Sequence, residues 1–206
     1  MKQTWFFNHF GLPLARFAGA VFLMVFGPMR VRHYRRVPKT GGLLILANHL
    51  ADVDPVLVQV GCRRTVYFMA KSELFTMPVV GKALKMFHAF PVNRGEPDRQ
   101  AIKHAVELLK SGETVCVFPE GQLSEDGHLQ ELKPGVALIV RMAGVPVICC
   151  AVKNTNRVMP YGKVLPRPAF AWVTATWGEP KQFEKSPDTE AMIAWVEGEL
   201  LALGAP

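Results

Sequence analysis

The chain has 206 residues, half of them hydrophobic and a fifth charged, with a formal net charge of +7. That composition excludes a disordered chain, a collagen-like repeat and a disulfide scaffold, and the length suits one domain with a short appendage. Of the 24 Lys and Arg, seven (Lys2, Arg16, Arg30, Arg32, Arg35, Arg36 and Lys39) lie in residues 1–40, where there is no acid, and the other 17 face 17 Asp and Glu. A basic nucleic-acid-binding domain spreads its charge over a folded face, whereas a basic arm beside an apolar segment reads as a membrane address. No nucleic-acid partner is expected, because the arm's aromatic residues sit among aliphatic ones and not between the arginines. The four cysteines, Cys62, Cys116, Cys149 and Cys150, lack CxxC spacing and read as thiols of a reduced, cytosolic protein.

In chain order, Phe17–Met29 is an uncharged apolar run of about 20 Å if helical, short of the ~30 Å hydrocarbon core. With Trp5–Leu14 it predicts two short helices hinged near Gly11–Pro13, lying in one leaflet. Arg30, Arg32, Arg35 and Arg36 would then touch anionic lipid at about 1 kcal/mol each, on the cytoplasmic face. Residues 1–40 are thus expected as a membrane-associating segment and 41–206 as the body. The body alternates. Strands are expected at Leu43–Ala47, Thr65–Met69, Ala89–Val92, Thr114–Phe118, Pro146–Val152 and, near an edge, Ala169–Trp177. Helices are expected at Pro55–Val60, Met77–His88, Pro97–Lys110, Lys133–Ala143 and from Ser186-Pro187 to about Leu203. Arg157–Pro168, with three prolines, reads as a surface loop. Such alternation predicts an α/β fold, a largely parallel or mixed sheet flanked by helices.

Sites in these sheets lie at the carboxyl ends of strands. Three polar clusters fall there: Asn48-His49-Leu50-Ala51-Asp52-Val53-Asp54, then Asn93-Arg94-Gly95, then Pro119-Glu120-Gly121. On one straight helix His49 and Asp54 would stand about 140° apart, but a strand-to-helix turn lets them meet. A carboxylate on one imidazole nitrogen fixes the tautomer and leaves the other nitrogen as a general base. Asp52 is a rival partner, and Asp54 alone would serve as a helix N-cap.

The order of motifs resembles that of the glycerolipid acyltransferases, the group that includes 1-acylglycerol-3-phosphate acyltransferase. NHLADVD is similar to their NHx4D motif, Met69–Phe75 with Pro78 and Gly81 to AKxELF…P..G, and Phe90–Arg94 to a second motif that ends in a phosphate-binding Arg. Phe118–Gly121 resembles FPEG, Leu132–Gly135 the downstream FKxG, and Val145–Ile148 an apolar fourth motif. The resemblance implies that His49 takes the proton of an acceptor hydroxyl attacking the thioester of acyl-CoA or acyl carrier protein, with Asp54 orienting it. It implies that Arg94 grips an anionic headgroup and that Glu120 and Gly121 shape the acceptor pocket, Glu120 by accepting from a hydroxyl. Lys71 and Lys133 are further candidates for phosphate contact. The implied partners are a phospholipid surface, a lysophospholipid and the acyl donor, with no cofactor or metal.

One departure bears on the acceptor: where the family's third motif runs FPEGTRS, this chain has Gln122 and Leu123 in place of Thr and Arg. A cationic contact is missing, which leaves another lipid alcohol or an amino-lipid as the alternative acceptor. The rival classes are a non-enzymatic membrane-binding protein and a metal hydrolase built on His49, Asp52, Asp54 and Glu120, which lacks a second histidine at ligand spacing.

Overall fold

The computed structural model describes residues 11–93, 98–163, 165–184 and 188–206. Its centre is a seven-stranded sheet. The strands are β1 (Met29–Arg32), β2 (Leu43–Ala47), β3 (Val66–Lys71), β4 (Ala89–Val92), β5 (Thr114–Val117), β6 (Val147–Lys153) and β7 (Val173–Trp177), in the order β1–β7–β6–β2–β5–β3–β4. Every neighbouring pair is parallel except β6 and β7. The helices are α1 (Leu12–Phe26), α2 (Asp54–Gly61), α3 (Pro78–Met86), α4 (Arg99–Lys110), α5 (Gly135–Ala143), the single turn α6 (Thr155–Val158) and α7 (Thr189–Ala202).

The central strands have no polar face because both of their faces are covered. Every residue of β2 is buried, as are the first six of β6. Alternation sorts them. Leu43, Ile45 and Ala47 pack with Leu57 and Val58 of α2 and Leu23 of α1. Leu44 and Leu46 pack with Ala105 and Leu109 of α4, Ala137 and Val140 of α5, and Val196 and Leu200 of α7. Burying a side chain of that size contributes about 1.5–3 kcal/mol, so these two clusters hold the sheet between its helical layers.

Sequence periodicity located these elements to within a few residues, with informative exceptions. Asp98 caps α4, its carboxylate accepting from the Gln100 and Ala101 N–H groups, and the expected start at Pro97 lies outside the described residues. Asp188 caps α7, and the expected Ser186-Pro187 start lies outside the described residues. β1 was not foreseen. Met29-Arg30-Val31-Arg32 alternates half-buried and exposed, the pattern of a strand with one covered face. It takes the sheet edge, so β7, expected near an edge, is second from it.

Of the expected pair of helices hinged near Gly11–Pro13, the second falls within the described residues. From Leu12 to Phe26 the chain forms one helix, with Pro13 in its first turn, where its missing N–H costs no bond. Trp5 and the rest of residues 1–10 lie outside the described residues. One side of α1, Leu12, Ala15, Gly19 and Leu23, is buried. A Cβ on Gly19 would stand 2.6 Å from Val56 Cγ1, so glycine allows the close approach of α1 to α2. Arg16 donates its guanidinium N–H to the Cys62 carbonyl. The other side stays apolar and open: Leu14, Phe17, Met24 and Val25 are all exposed. Among the described residues no helix is long and apolar enough to cross a membrane. Part of the basic arm is used by the fold as well. Arg36 pairs with Glu179 at 2.6 Å and donates to the Trp177 carbonyl, so it is not a free lipid contact.

Candidate active site

Because β2, β3, β4, β5 and β6 run the same way, their carboxyl ends share one edge of the sheet. There β2 delivers Asn48 and His49, β3 delivers Lys71, β4 leads to Asn93, and β5 leads to Phe118–Gly121. Arg94, the expected phosphate ligand, lies outside the described residues.

His49 and Asp54 meet. Nδ1 of His49 lies 2.9 Å from Asp54 Oδ2, and both side chains are buried. Asp52 is exposed, which removes the rival partner. Asp54 is not the N-cap expected of it: it is the first residue of α2, and its carboxylate turns back toward the loop. Oδ2 accepts the N–H of Leu50 at 2.6 Å and of Ala51 at 2.8 Å. An oxygen that already receives two backbone donors acts as an acceptor, so the proton of the imidazole sits on Nδ1. The Nε2 lone pair is left available. Hydrogen bonds to a charged acceptor contribute about 1.5–3 kcal/mol each, enough to hold a carboxylate away from water.

The imidazole is fixed from a second side. Its ring stacks on Phe118, with centroids 3.9 Å apart and planes 16° from parallel. The backbone is fixed too. Glu120 Oε1 accepts the His49 N–H at 2.6 Å, Glu120 Oε2 accepts the Gln130 N–H at 2.8 Å, and the His49 carbonyl accepts from Ser124 N at 2.8 Å. Both Glu120 oxygens are therefore engaged by main-chain donors. The carboxylate ties the β2 and β5 loops together, a different task from the expected bond to an acceptor hydroxyl. Burial pushes its carboxyl up to about 7, against the lowering effect of those two N–H donors.

Sequence reasoning gave Asn48 no role. Its amide donates to the Val152 carbonyl at 3.0 Å and accepts the Val152 N–H at 2.7 Å, locking the start of the catalytic loop to β6. The amide at a strand end was visible in the sequence, but its partner is 104 residues away.

A cavity of about 970 Å³ opens beside this pair. Val117, Phe118, Ile102, Val136 and Ile139 give it apolar walls, and Lys71, Asn93, Glu120, Gly121, Gln122 and Lys133 a polar rim. His49 is not itself in the lining; it adjoins the cavity through Phe118 and Glu120. Gly121 takes a left-handed φ of +74°, which a side chain would resist. Lys71 lies 3.3 Å from Glu73 and Lys133 3.6 Å from Glu131, both as exposed pairs of little energy. The remaining thiols take no part: burial pushes Cys116, Cys149 and Cys150 upward, away from a reactive thiolate.

A buried His–Asp pair at strand ends, with an apolar cavity at its side, has counterparts in known proteins. The model of the family described as Acyltransferase matches residues 28–153. The chain belongs to the acyltransferase family. This acyltransferase is 37% identical over 138 residues to the 1-acyl-sn-glycerol-3-phosphate acyltransferase of Bacillus subtilis, a match covering 66% of this chain and 68% of that protein. It is 29% identical over 159 residues to the chloroplastic 1-acyl-sn-glycerol-3-phosphate acyltransferase BAT2 of Brassica napus, covering 76% of this chain but 45% of the longer plant protein. The crystal structure of the 1-acyl-sn-glycerophosphate acyltransferase PlsC from Thermotoga maritima superposes with a TM-score of 0.78 at 26% identity, over 93% of this chain and 77% of that one.

Proposed function

We propose that this acyltransferase moves a fatty acyl group from a thioester, acyl-CoA or acyl carrier protein, to the free hydroxyl of 1-acylglycerol-3-phosphate, giving phosphatidic acid. The observation that carries the reading is the tautomer: Asp54 Oδ2, already accepting two backbone N–H groups, holds the proton on His49 Nδ1. Nε2 removes the hydroxyl proton while that oxygen attacks the thioester carbonyl. The tetrahedral intermediate then collapses, the C–S bond breaks, and the proton on Nε2 passes to the leaving thiolate. Asp54 stabilises the imidazolium between the two proton transfers. Base catalysis of this kind contributes roughly 10²–10⁴-fold. The apolar wall suits an acyl chain, and the rim with Lys71 and Lys133 suits a phosphate. No cofactor or metal enters the scheme.

We place the enzyme on the cytoplasmic face of a membrane, with the open side of α1 against one leaflet. Leu14, Phe17, Met24 and Val25 supply the apolar contact and the neighbouring arginines the attraction to anionic lipid. Gln122, on the cavity rim, is the observation that favours a second acceptor class, a lipid alcohol without a phosphomonoester. The test is thiol release from acyl-CoA and from acyl carrier protein with lysophosphatidic acid and a panel of other lysolipids. His49→Ala is expected to lose at least about 10³-fold in kcat while melting as a folded protein. Retained turnover in that variant overturns the mechanism, and turnover only with another acceptor overturns the substrate.

A further inference from the structure

β1 and β7 lie side by side, and their pairing brings a second unusual segment next to the arm. Residues 154–178 contain Arg157, Lys163 and Arg167 and no Asp or Glu. Their backbone is stitched to the end of α1: Ala169 N donates to the Phe26 carbonyl at 2.7 Å, and Val173 N to the Pro28 carbonyl at 2.8 Å. The large apolar side chains here are not packed. Phe170 is 93% exposed, Leu165 80% and Trp172 52%. Phe170 also adopts φ +49°, a left-handed conformation that a bulky side chain resists. Among the described residues no packing compensates for an aromatic ring held open to water on disfavoured backbone, which marks the segment as a surface for contact with something beyond them.

We infer that Phe170 and Trp172 form a second membrane contact, inserting into the same anionic phospholipid leaflet that α1 faces; the inference rests on that reading of α1. Three features select a lipid surface over a protein partner. The patch adjoins the C-terminal end of α1, to which the Ala169–Phe26 bond ties it. The Arg30 guanidinium lies 5.1 Å over the Trp172 ring, an amphipathic pairing suited to the headgroup level, where indoles and guanidinium groups concentrate. A hollow of about 470 Å³ beside Leu165 is lined by Lys163 and Arg167, which places two cations around an opening of headgroup size. Two separate contacts would fix the enzyme's rotation on the membrane, which a single helix lying in the plane leaves free.

The full chain is tested with an environment-sensitive fluorophore on Phe170→Cys, the four native cysteines being buried. Parallel probes sit on Val25→Cys of α1 and on Lys103→Cys of α4, across the sheet. With vesicles of equal phosphatidylglycerol and phosphatidylcholine, the probe at 170 is expected to brighten several-fold and to be quenched by lipids spin-labelled near the headgroup, while the probe at 103 stays unchanged. A silent probe at 170 with a responding probe at 25 overturns this inference and leaves the α1 reading standing. Silence at both overturns both. As a second measurement, the unlabelled variant Phe170→Ser/Trp172→Ser is expected to partition about tenfold more weakly into the same vesicles with an unchanged melting curve. Undiminished binding, or equal binding to pure phosphatidylcholine vesicles by the wild type, overturns the assignment.

Discussion

Replacing Asp54 by Asn tests whether the buried carboxylate acts through its charge or only through its shape. An amide is nearly isosteric, and its oxygen can take the place of Oδ2, which receives the Leu50, Ala51 and His49 donors at 2.6, 2.8 and 2.9 Å. The reverse orientation would face an NH₂ toward three donors, so the geometry selects one rotamer and keeps the His49 tautomer. What is lost is the negative charge beside the imidazolium. Charge centres in such a contact lie about 4 Å apart, and at an effective dielectric of about 20 their attraction is about 4 kcal/mol. At about 1.4 kcal/mol per decade that is roughly 10³-fold in rate, and the amide dipole retains a part of it. The expectation is a fall in kcat of about 10²- to 10³-fold with KM little changed. The new NH₂ would occupy the place of Oδ1, which is buried without a partner among the described residues, at a cost of about 1–3 kcal/mol in stability. Initial rates of thiol release, at enzyme concentrations corrected by melting curves, give the answer. A variant within about threefold of wild-type kcat would refute the electrostatic role.

Two further substitutions address the scaffold of the site. Asn48→Ala leaves the buried Val152 N–H and carbonyl without their partners, and is expected to cost about 3 kcal/mol and to lower Tm by about 6–12 °C; a loss below about 1 kcal/mol would remove Asn48 as the clamp. For Glu120, the carboxyl is raised from an ordinary value of 4.5 to about 7 in the fold, so the unfolded chain releases its proton first as pH rises. Stability from this group is therefore full below about pH 4.5 and is lost as pH climbs through about 7, by about 3 kcal/mol. Urea unfolding across that range is expected to show this extra decline in wild type and not in Glu120→Gln, whose amide does not titrate. Parallel curves for the two proteins would contradict the buried, raised carboxyl.

Much of the architecture was legible because the body's pattern is simple. Runs such as Leu43–Ala47 and Val147–Val152 are apolar without alternation, which marks strands covered on both faces. The polar residues after Leu43–Ala47 and after Thr114–Phe118 supply the candidate site. His49, Asp54 and Glu120 could be singled out because ionisable groups at strand ends have few structural reasons to be there. β1 was less visible: its alternation, Met29-Arg30-Val31-Arg32, is only four residues long and lay inside a segment whose charge suggested lipid.

The sequence by itself determined the order of the strands and longer helices of the body, the reaction class suggested by its motifs, and which ionisable residues had to be explained. Local pattern is enough for these, since periodicity and strand-end chemistry are properties of neighbours. Tertiary structure decided what each group does. The choice of Asp54 over Asp52 depends on which carboxylate the loop turns inward, and one is buried while the other is exposed. The two N–H donors on Glu120 come from loops 71 and 10 residues away, and the partner of Asn48 is 104 residues distant. The His49–Glu120 and Asn48–Val152 contacts are formed only when parallel strands bring their carboxyl ends to one edge, and no local window of sequence contains both partners.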